Sequence, residues 1–305
     1  MSKYIVRRLG HLLLVLLGAS TLSFLLLFLA GDPTHLLLPL DAPPEIRETF
    51  RKEYGFDQPL HVQYGRFLIR LAQGDLGRSL RHRQGALDLI IERAPATLQL
   101  AGAGILFAIL IALPAGILAA VTRGTFTETG VMVLALLGQS IPVFWLGLAL
   151  IIIFGVELRW LPISGTGTLA HLIMPTIAVG TFTAASIARL TRSSILEQLS
   201  QDYTRTARSK GVGERRVLWR HILRNAAIPV VTIIGLQLGQ LLSGALITET
   251  IFAWPGIGRL VFNAVLQGDY PVVQATVIAF AVIFGLVNLL VDLTYAMLDP
   301  RIRYG

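Results

Sequence analysis

The 305-residue sequence contains no cysteine and few charged residues, and each shortage excludes a class of protein. Without cysteine there is no disulfide framework, no thiolate metal site and no cysteine nucleophile. Charged residues make up 14% of the chain and hydrophobic residues 54%, whereas a soluble domain carries about 25% charged residues. This composition favours a membrane protein over a soluble domain.

The sequence also lacks the motifs of ATP hydrolysis and of zinc chemistry. No G-x-x-x-x-G-K-[ST] occurs, so we expect this chain not to bind ATP through a P-loop. There is no H-E-x-x-H, and the six histidines are scattered along the chain. The stretch PISGTG around Ser164 resembles a serine-protease motif only weakly, because the predicted last membrane helix has no histidine to act as a base. We therefore predict no catalytic residue, no metal site and no cofactor bound by this chain.

Six windows of the sequence contain no Asp, Glu, Lys or Arg, and each exceeds the roughly 20 residues that a membrane-spanning helix needs. In the fourth window, WLPISGTGTLA is typical of a loop, so we expect the helix to begin near His171. The predicted fold class is an all-α polytopic membrane protein with six transmembrane helices. The windows are Leu9–Gly31, Ala94–Thr122, Thr129–Val156, Trp160–Ala188, Asn225–Thr248 and Tyr270–Val291.

The distribution of basic residues predicts the orientation of these helices. If the N-terminus lies inside the cell, more than half of the 26 Lys and Arg residues fall in cytoplasmic segments. The two short outer segments then hold one basic residue each, Arg159 and Arg259. The positive-inside rule therefore predicts that both termini are cytoplasmic. It also explains the net charge of +8 without nucleic-acid binding.

The windows divide the chain into four predicted parts. Residues 1–30 form an N-terminal transmembrane helix, although a cleaved signal peptide is the alternative. That alternative is less favoured because the apolar run exceeds the 7–15 residues of a signal-peptide core. Residues 31–93 form an extracytoplasmic segment with the amphipathic stretches EIRETFRKEYG and HVQYGRFLIRLAQG. Residues 94–296 hold five helices and a cytoplasmic loop at 189–224, and residues 297–305 form a cytoplasmic tail.

The most basic stretch, DYTRTARSKGVGERRVLWRHILRN, lies between the fourth and fifth predicted helices. Its pattern predicts two short helices. The first begins with Asp202 as N-cap and stops at Gly211, since these residue types favour such positions. The second, ERRVLWRHILRN, places Val217 and Ile222 on one side. Because helices this short are unstable alone in water, each must dock on another surface.

This stretch resembles the cytoplasmic "EAA" loop of ABC importer permeases, which forms a coupling helix on the ATPase subunit. Ala207 and Gly211 match the family motif, whereas Arg205 and Thr206 replace its Glu and first Ala. The resemblance is stronger to one subfamily, the first ("B") permease of dipeptide, oligopeptide and nickel importers. It extends over nearly the whole chain. The stretches that carry it are GDP, GFDQPLHVQY, GDLGRS, DYTRTARSKG, RHILRNAAIPVVT, TETIFAWPGIGRL, DYPVVQA and NLLVDLTYAMLDPRIR.

The resemblance implies a type I ABC importer permease in a bacterial or archaeal inner membrane. Its expected partners are a second homologous permease, two ATPase subunits that bind ATP and Mg, an extracytoplasmic substrate-binding protein, and membrane lipid. The expected cargo is di- or oligopeptides, with glutathione and nickel or metal chelates as alternatives. A self-contained secondary transporter or channel is the other class of function. It should show inverted repeats and carboxylates near the midplane, and the sequence shows neither.

The resemblance and the residue pattern together give candidate coupling residues. Ala207 and Gly211 are four apart and share a helix face, where small side chains would let the ATPase approach. Arg205, Arg208 and Lys210 are expected to pair with its carboxylates. The alternative is a solvated basic loop that only enforces topology. The full predicted coupling set is Asp202, Arg205, Thr206, Ala207, Arg208, Lys210 and Gly211.

Candidate pathway residues come from two apolar windows. In the fifth, Gly235, Gly239 and Ser243 form a small-residue face for close helix packing. A second face, with Gln237, Gln240, Gly244 and Thr248, is expected to line the translocation pathway, or else to hydrogen-bond between helices. In the third, Pro142 breaks the helix beside Gln139 and Ser140, which serves either packing or gating. The predicted pathway set is Gln139, Ser140, Pro142, Gln237, Gln240 and Thr248.

The stretch TETIFAWPGIG follows the fifth window on the predicted outer side. The resemblance places it at the outer mouth, where Glu249, Trp254, Pro255 and Gly256 would contact the binding protein or close the gate. Trp254 suits a membrane interface. Asp292, near the end of the sixth window, is expected to form an ion pair with Arg301 or with an arginine of the coupling loop.

Overall fold

The computed structural model describes residues 2–29, 38 and 42–298, and this part of the chain is helical nearly throughout. The all-α prediction is therefore confirmed. A single antiparallel bridge pairs Arg78 with Gly85. The helices are α1 (Ser2–Leu29), α2 (Pro44–Tyr54), α3 (Leu60–Ala72), α4 (Ala86–Val121), α5 (Phe126–Ser140), α6 (Val143–Leu150), α7 (Leu169–Leu199), α8 (Asp202–Ser209), α9 (Glu214–Arg216), α10 (Leu223–Gly244), α11 (Leu246–Ile251), α12 (Ile257–Leu266) and α13 (Tyr270–Leu298).

Within the described residues, four helical segments are long and apolar enough to cross a membrane. They are Ala86–Val121, Leu169–Leu199, Glu214–Leu242 and Tyr270–Val291. The start of α7 at Leu169 agrees with the expected start near His171. By contrast, α4 begins at Ala86, well before the predicted Ala94, because Glu92 and Arg93 extend the helix beyond its apolar part instead of ending it.

The first predicted span is also helical. Helix α1 is 28 residues long, and its apolar stretch of described side chains is Gly10–Leu25. Leu13 and Leu14 on this helix are 65% and 68% exposed. Leucines exposed to this extent on an apolar helix are suited to contact with lipid acyl chains.

The third predicted span is interrupted at Pro142, where the sequence predicted a break in the helix. Helices α5 and α6 are bent by 97° at the break between Ser140 and Val143. Pro142 lacks a backbone N–H and forces Ile141 out of the helical region, and Ile141 accordingly has φ −75° and ψ 122°. After α6 the chain continues as a π-helical segment, Ile151–Glu157.

The described chain forms two compact units, residues 1–96 with 255–285 and residues 97–254 with 286–305. In the first unit, the two predicted amphipathic stretches are helices α2 and α3. Helix α3 packs on α1 through Phe67, which lies 6.0 Å from the ring of Phe24. Thr21 and Tyr64 share a hydrogen bond of 2.6 Å between the same two helices.

The second unit is built around α7, whose small residues let other helices approach closely. A side chain at Gly116 of α4 would meet the carbonyl oxygen of Ala188 at 2.7 Å. Gly235 of α10 likewise lies tightly against Val291 of α13, which confirms close packing at this one position of the predicted small-residue face. Dispersion contacts between such closely spaced backbones hold membrane helices together where the hydrophobic effect cannot.

Candidate functional site

The candidate site is the segment between α7 and α9, residues 200–213, which we call the coupling segment. Helix α7 continues to Leu199 and α9 begins at Glu214, so the segment between these helices is much shorter than the predicted loop 189–224. Arg189 and Arg192, which the sequence placed in that loop, belong to α7. The coupling segment therefore consists of one helix, α8, held between two short turns.

Helix α8 ends as the sequence predicted. Gly211 has a left-handed backbone, with φ +75°, and its N–H donates to the carbonyl of Arg208 at 2.9 Å. The N–H of Val212 donates to the carbonyl of Ala207 at 3.2 Å. These two bonds form a Schellman motif, in which glycine is favoured because a Cβ is strained in this conformation.

The predicted N-cap of α8 is wrong. Gln201 occupies the position before the helix, and no side chain caps its first turn. Asp202 is instead the first helical residue, where its carboxylate lies 3.7 Å from Arg205 and is 96% exposed. The helix begins one residue earlier than the sequence suggested, because Gln201 already has the extended backbone of a cap residue, with φ −72° and ψ 149°. A carboxylate in the first turn still complements the helix dipole.

The inner face of α8 packs on the chain itself, which corrects the expected role of Ala207. Ala207 lies in a buried cluster with Ile195, Val217 and Ile222. Beside it, fully buried Thr204 donates from Oγ1 to the carbonyl of Gln198 at 2.8 Å. A helix of two turns gains its stability from such a docked face. Ala207 and Gly211 therefore do not form a shared surface for a partner.

The outer face of α8 is polar and basic. Arg205, Thr206, Arg208 and Lys210 are exposed. Arg208 donates from Nε and Nη2 to the two carboxylate oxygens of Glu214, at 2.7 and 3.0 Å. This bidentate pair raises the pKa of Arg208. It also fastens the C-terminal end of α8 to the start of α9.

The second predicted short helix is not separate. Residues 214–244 are continuously helical, through α9, a π-helical segment at Val217–Ile222 and α10. As expected, Val217 and Ile222 are buried on one side. The basic stretch thus leads directly into a membrane helix. Any displacement of the coupling segment is applied to the end of that helix.

Of the predicted pathway residues next to the break at Pro142, Gln139 contacts α7. Arg189 donates from Nη1 to Oε1 of Gln139 at 2.5 Å, while Ser140 Oγ donates to its own helix at the carbonyl of Leu136. The sequence analysis missed the contact between Arg189 of α7 and Gln139 of α5. A second one joins Arg192 of α7 to Glu128 of α5, with Nε to Oε1 at 2.8 Å.

The predicted polar face of the fifth span is divided by the fold. Gln237 on α10 is buried and Gln240 is exposed. Thr248 is also buried, but it lies on α11, because α10 ends at Gly244. The interruption at Ala245 places these residues on two helices, and their role in the pathway stays a prediction.

The predicted outer residues are also more enclosed than expected. Glu249 is fully buried, and Oγ1 of Thr97 donates to its Oε1 at 2.7 Å. Trp254 is only 2% exposed, and its backbone N–H donates to the carbonyl of Glu249 at 2.8 Å. The turn lies earlier than the expected Pro255–Gly256, at Phe252 and Ala253, where Ala253 has φ +51°. Gly256 is extended and precedes α12, a helix that the sequence analysis missed.

A second buried carboxylate, Asp269, has a structural role that the sequence analysis did not predict. Asp269 accepts hydrogen bonds from the Ser79 hydroxyl, from the N–H of Leu80 at 3.1 Å and from the N–H of Arg81 at 3.4 Å. It ties the GDLGRS stretch to the start of α13. The expected partners of Asp292, in contrast, cannot be assessed, since its side chain and Arg301 lie outside the described residues.

Comparison with protein families finds two models that together match most of the chain. Residues 112–304 match the family described as binding-protein-dependent transport system inner membrane component. Residues 1–101 match the corresponding N-terminal family of membrane components. The N-terminal match ends at residue 101 and the larger match begins at residue 112, and both positions lie inside α4.

Curated relatives and solved structures agree with the family match. The chain is 42% identical to the di/tripeptide transport system permease protein DppB of Pseudomonas aeruginosa (strain UCBPP-PA14), covering 100% of this chain and 99% of the relative. It is 43% identical to the glutathione transport system permease protein GsiC of Escherichia coli (strain K12), covering 100% of both.

The fold is similar to that of solved ABC importers. One is the inward-facing MetNI methionine ABC transporter, with a TM-score of 0.59 at 19% identity, covering 70% of this chain and 97% of the other. Another is an amino acid ABC transporter crystallised with histidines, with a TM-score of 0.57 at 14% identity, covering 69% and 94%. The chain therefore belongs to the family of binding-protein-dependent transport system inner membrane components, as a multi-pass permease of the ABC importer type.

Proposed function

We propose that this chain is one permease subunit of an importer of short peptides. The observation that carries the proposal is end-to-end similarity above 40% to two permeases, one named for di- and tripeptides and one for glutathione. Glutathione is itself a tripeptide, so short peptides are the cargo class common to both names. Neither name favours the nickel or metal-chelate alternative drawn from the sequence.

As a member of this family, the chain works with an ATPase and a substrate-binding protein. We propose that it pairs with a second, homologous permease, and that two ATPase subunits supply ATP and Mg. The proposed layout places the N-terminus, the coupling segment and the C-terminus in the cytoplasm of a bacterial or archaeal cell. Residues 31–93 then lie outside.

The coupling segment is the proposed contact with the ATPase. Its supporting features are the exposed basic face of α8 and the buried cluster that fixes the opposite face. Arg205 and Lys210 are the proposed contacts to acidic groups of the partner. Arg208 holds Glu214, so its proposed role is to keep α8 in place. Asp202 and Thr206 complete the exposed surface.

The proposed outer mouth includes Pro255 and Gly256, which we suggest contact the binding protein. Glu249 and Trp254 precede these residues in the chain and are buried, and Thr97 donates to the carboxylate of Glu249. We further propose that the bend at Pro142 and the exposed Gln240 face the translocation pathway. Gln237 and Thr248 are then supporting residues behind it.

The test is transport by the reconstituted complex. The chain is co-expressed with the second permease, ATPases and binding protein encoded beside its gene, and the complex is placed in liposomes loaded with ATP and Mg. We expect uptake of radiolabelled dialanine or glutathione that requires both ATP and the binding protein. Uptake without either would favour a self-contained transporter, and uptake of nickel alone would overturn the peptide assignment.

A further inference from the structure

The first unit contains a cavity of about 430 Å³ that the proposed function does not use. Three cationic side chains lie at its lining, Lys52 of α2 and Arg66 and Arg70 of α3. Arg66 and Arg70 are four residues apart and project from the same face of α3. Among the side chains that the structure describes, no Asp or Glu lines the cavity. The cavity therefore presents three positive charges and no negative one.

These cations are not used in ion pairs within the described part of the chain. Among residues with described side chains, no carboxylate pairs with Lys52, Arg66 or Arg70. Elsewhere on the described surface, basic residues such as Arg192 and Arg208 do have acidic partners. A cluster of three like charges around one cavity is favourable when an anion lies between them.

The inner side of the cavity is aromatic and apolar. Phe24 and Phe67 are both buried, and their rings are 6.0 Å apart. Phe56 lines another side, and Ile69, at the edge, is 60% exposed. A ligand that fits must therefore carry an anionic group for the rim and an apolar part for the floor.

The position of the cavity identifies such a ligand. Phe24 lies near the C-terminal end of α1, and Gln274 lies in the first turns of α13. Phe24 is five residues from the end of α1 and Gln274 four residues from the start of α13, whereas the three cations come from α2 and α3, which lie outside the predicted spans. The cavity therefore lies between the end regions of two membrane helices and a polar segment. Phospholipid phosphates occupy this level of a bilayer, and Lys and Arg clusters beside membrane helices bind anionic headgroups.

We propose that this cavity binds the phosphate headgroup of an anionic phospholipid, with Lys52, Arg66 and Arg70 around the phosphate and the phenylalanines against its glycerol and upper acyl chain. A zwitterionic lipid brings a cationic group to the same three charges and binds less well. This site is distinct from the peptide pathway. It anchors α2 and α3 to the membrane surface.

The test is lipid binding to the full-length chain, purified in a non-ionic detergent and analysed by native mass spectrometry. Dioleoylphosphatidylglycerol and dioleoylphosphatidylcholine are titrated in parallel. We expect the first to bind more tightly by about tenfold, in line with the contribution of a few basic residues near a lipid surface. The variant R66Q/R70Q should reduce this preference to about twofold or less, and K52Q should reduce it by a smaller factor.

The matched control is R47Q/R83Q, which removes the same charge from the same segment but alters no residue of the cavity lining. It should keep the full preference. An equal loss in the control would show a general charge effect and overturn the site, as would unchanged binding by R66Q/R70Q with wild-type thermal unfolding.

Two competitors distinguish the source of the anion. Glycerol 1-phosphate at millimolar concentration should displace phosphatidylglycerol only weakly, because it lacks the acyl chain. Strong displacement by inorganic phosphate alone would indicate a free-phosphate site and contradict the lipid assignment. Displacement by dialanine, whose only anion is a carboxylate, would assign the cavity to peptide and refute the proposal.

Discussion

Substitution of Gly211 tests whether the end of α8 must be rigid for transport to be coupled to ATP hydrolysis. Gly211 has φ +75°, and a Cβ built there meets no atom within 4 Å. The cost of a side chain is therefore conformational and not steric. A left-handed conformation costs an ordinary residue about 1–2 kcal/mol, while asparagine adopts it more readily.

This cost is sufficient to change the state of a two-turn helix. Through the relation of tenfold per 1.4 kcal/mol, it raises the ratio of unwound to wound C-terminal turn by roughly 5- to 30-fold. The unwound turn releases the two Schellman hydrogen bonds made by Gly211 and Val212. If α8 transmits the movement of the ATPase, hydrolysis should continue while less peptide is moved.

Asparagine and leucine have the same number of side-chain heavy atoms and the same branching at Cγ, so G211N and G211L form a matched pair. Both place the same bulk on the exposed side of the coupling segment, but only leucine strains the backbone. We expect G211L to raise ATP hydrolysed per peptide transported by roughly threefold or more, in proportion to the unwound fraction, and G211N to stay near wild type. The measurement is hydrolysis and uptake in the same liposomes.

The comparison separates two explanations. If G211N and G211L impair coupling equally, added bulk at the partner surface is responsible and the rigidity argument is wrong. If neither changes the ratio, the end of α8 does not carry force, although the complex can still assemble. Retention of all subunits on affinity purification establishes assembly in both variants.

Three further predictions concern other parts of the chain. Cysteines introduced singly at Arg83 and Ser209 should react with an impermeant thiol reagent from opposite sides of the membrane, and labelling of both from outside would refute the cytoplasmic N-terminus. D202A should leave the hydrolysis ratio unchanged, because Asp202 makes no cap hydrogen bond and is 96% exposed; an increase as large as that of G211L would contradict the structure. T97V should destabilise the purified chain by about 1–3 kcal/mol, since it removes a donor from buried Glu249, whereas T97S should unfold near the wild-type temperature; equal unfolding of the two would show that this hydrogen bond contributes nothing.

Apolar patterning predicted much of the fold. Long uncharged windows located the membrane helices, because an unpaired charge on a helix surrounded by lipid is energetically unfavourable. The loop-like sequence before His171 and the glycine at 211 gave helix ends within about two residues, the usual uncertainty of such boundaries. The start of α4 was missed, since a charged residue such as Glu92 marks the end of the apolar part and not the end of the helix.

The site was less predictable, for a physical reason. Periodicity shows that Ala207 and Gly211 share a helix face, but not what covers that face. In the structure the chain's own cluster covers Ala207. Trp254 presents the same difficulty, since a tryptophan near the end of a span fits an interface and a buried core equally well. Contacts such as Ser79 with Asp269 join residues 190 positions apart, and no local pattern signals them.

The shortness of the coupling segment bears on how an ATPase could act through it. Helix α7 continues beyond its membrane part to Leu199, and α9 joins α10 without interruption. Helix α8 is therefore held between two long helices and not by a slack loop. Its buried face packs against residues of both, Ile195 of α7 and Val217 beside α9. A force applied to the exposed basic face is resisted by this shared cluster, so it moves the ends of both membrane helices together. A disordered loop of the same length would absorb the displacement instead.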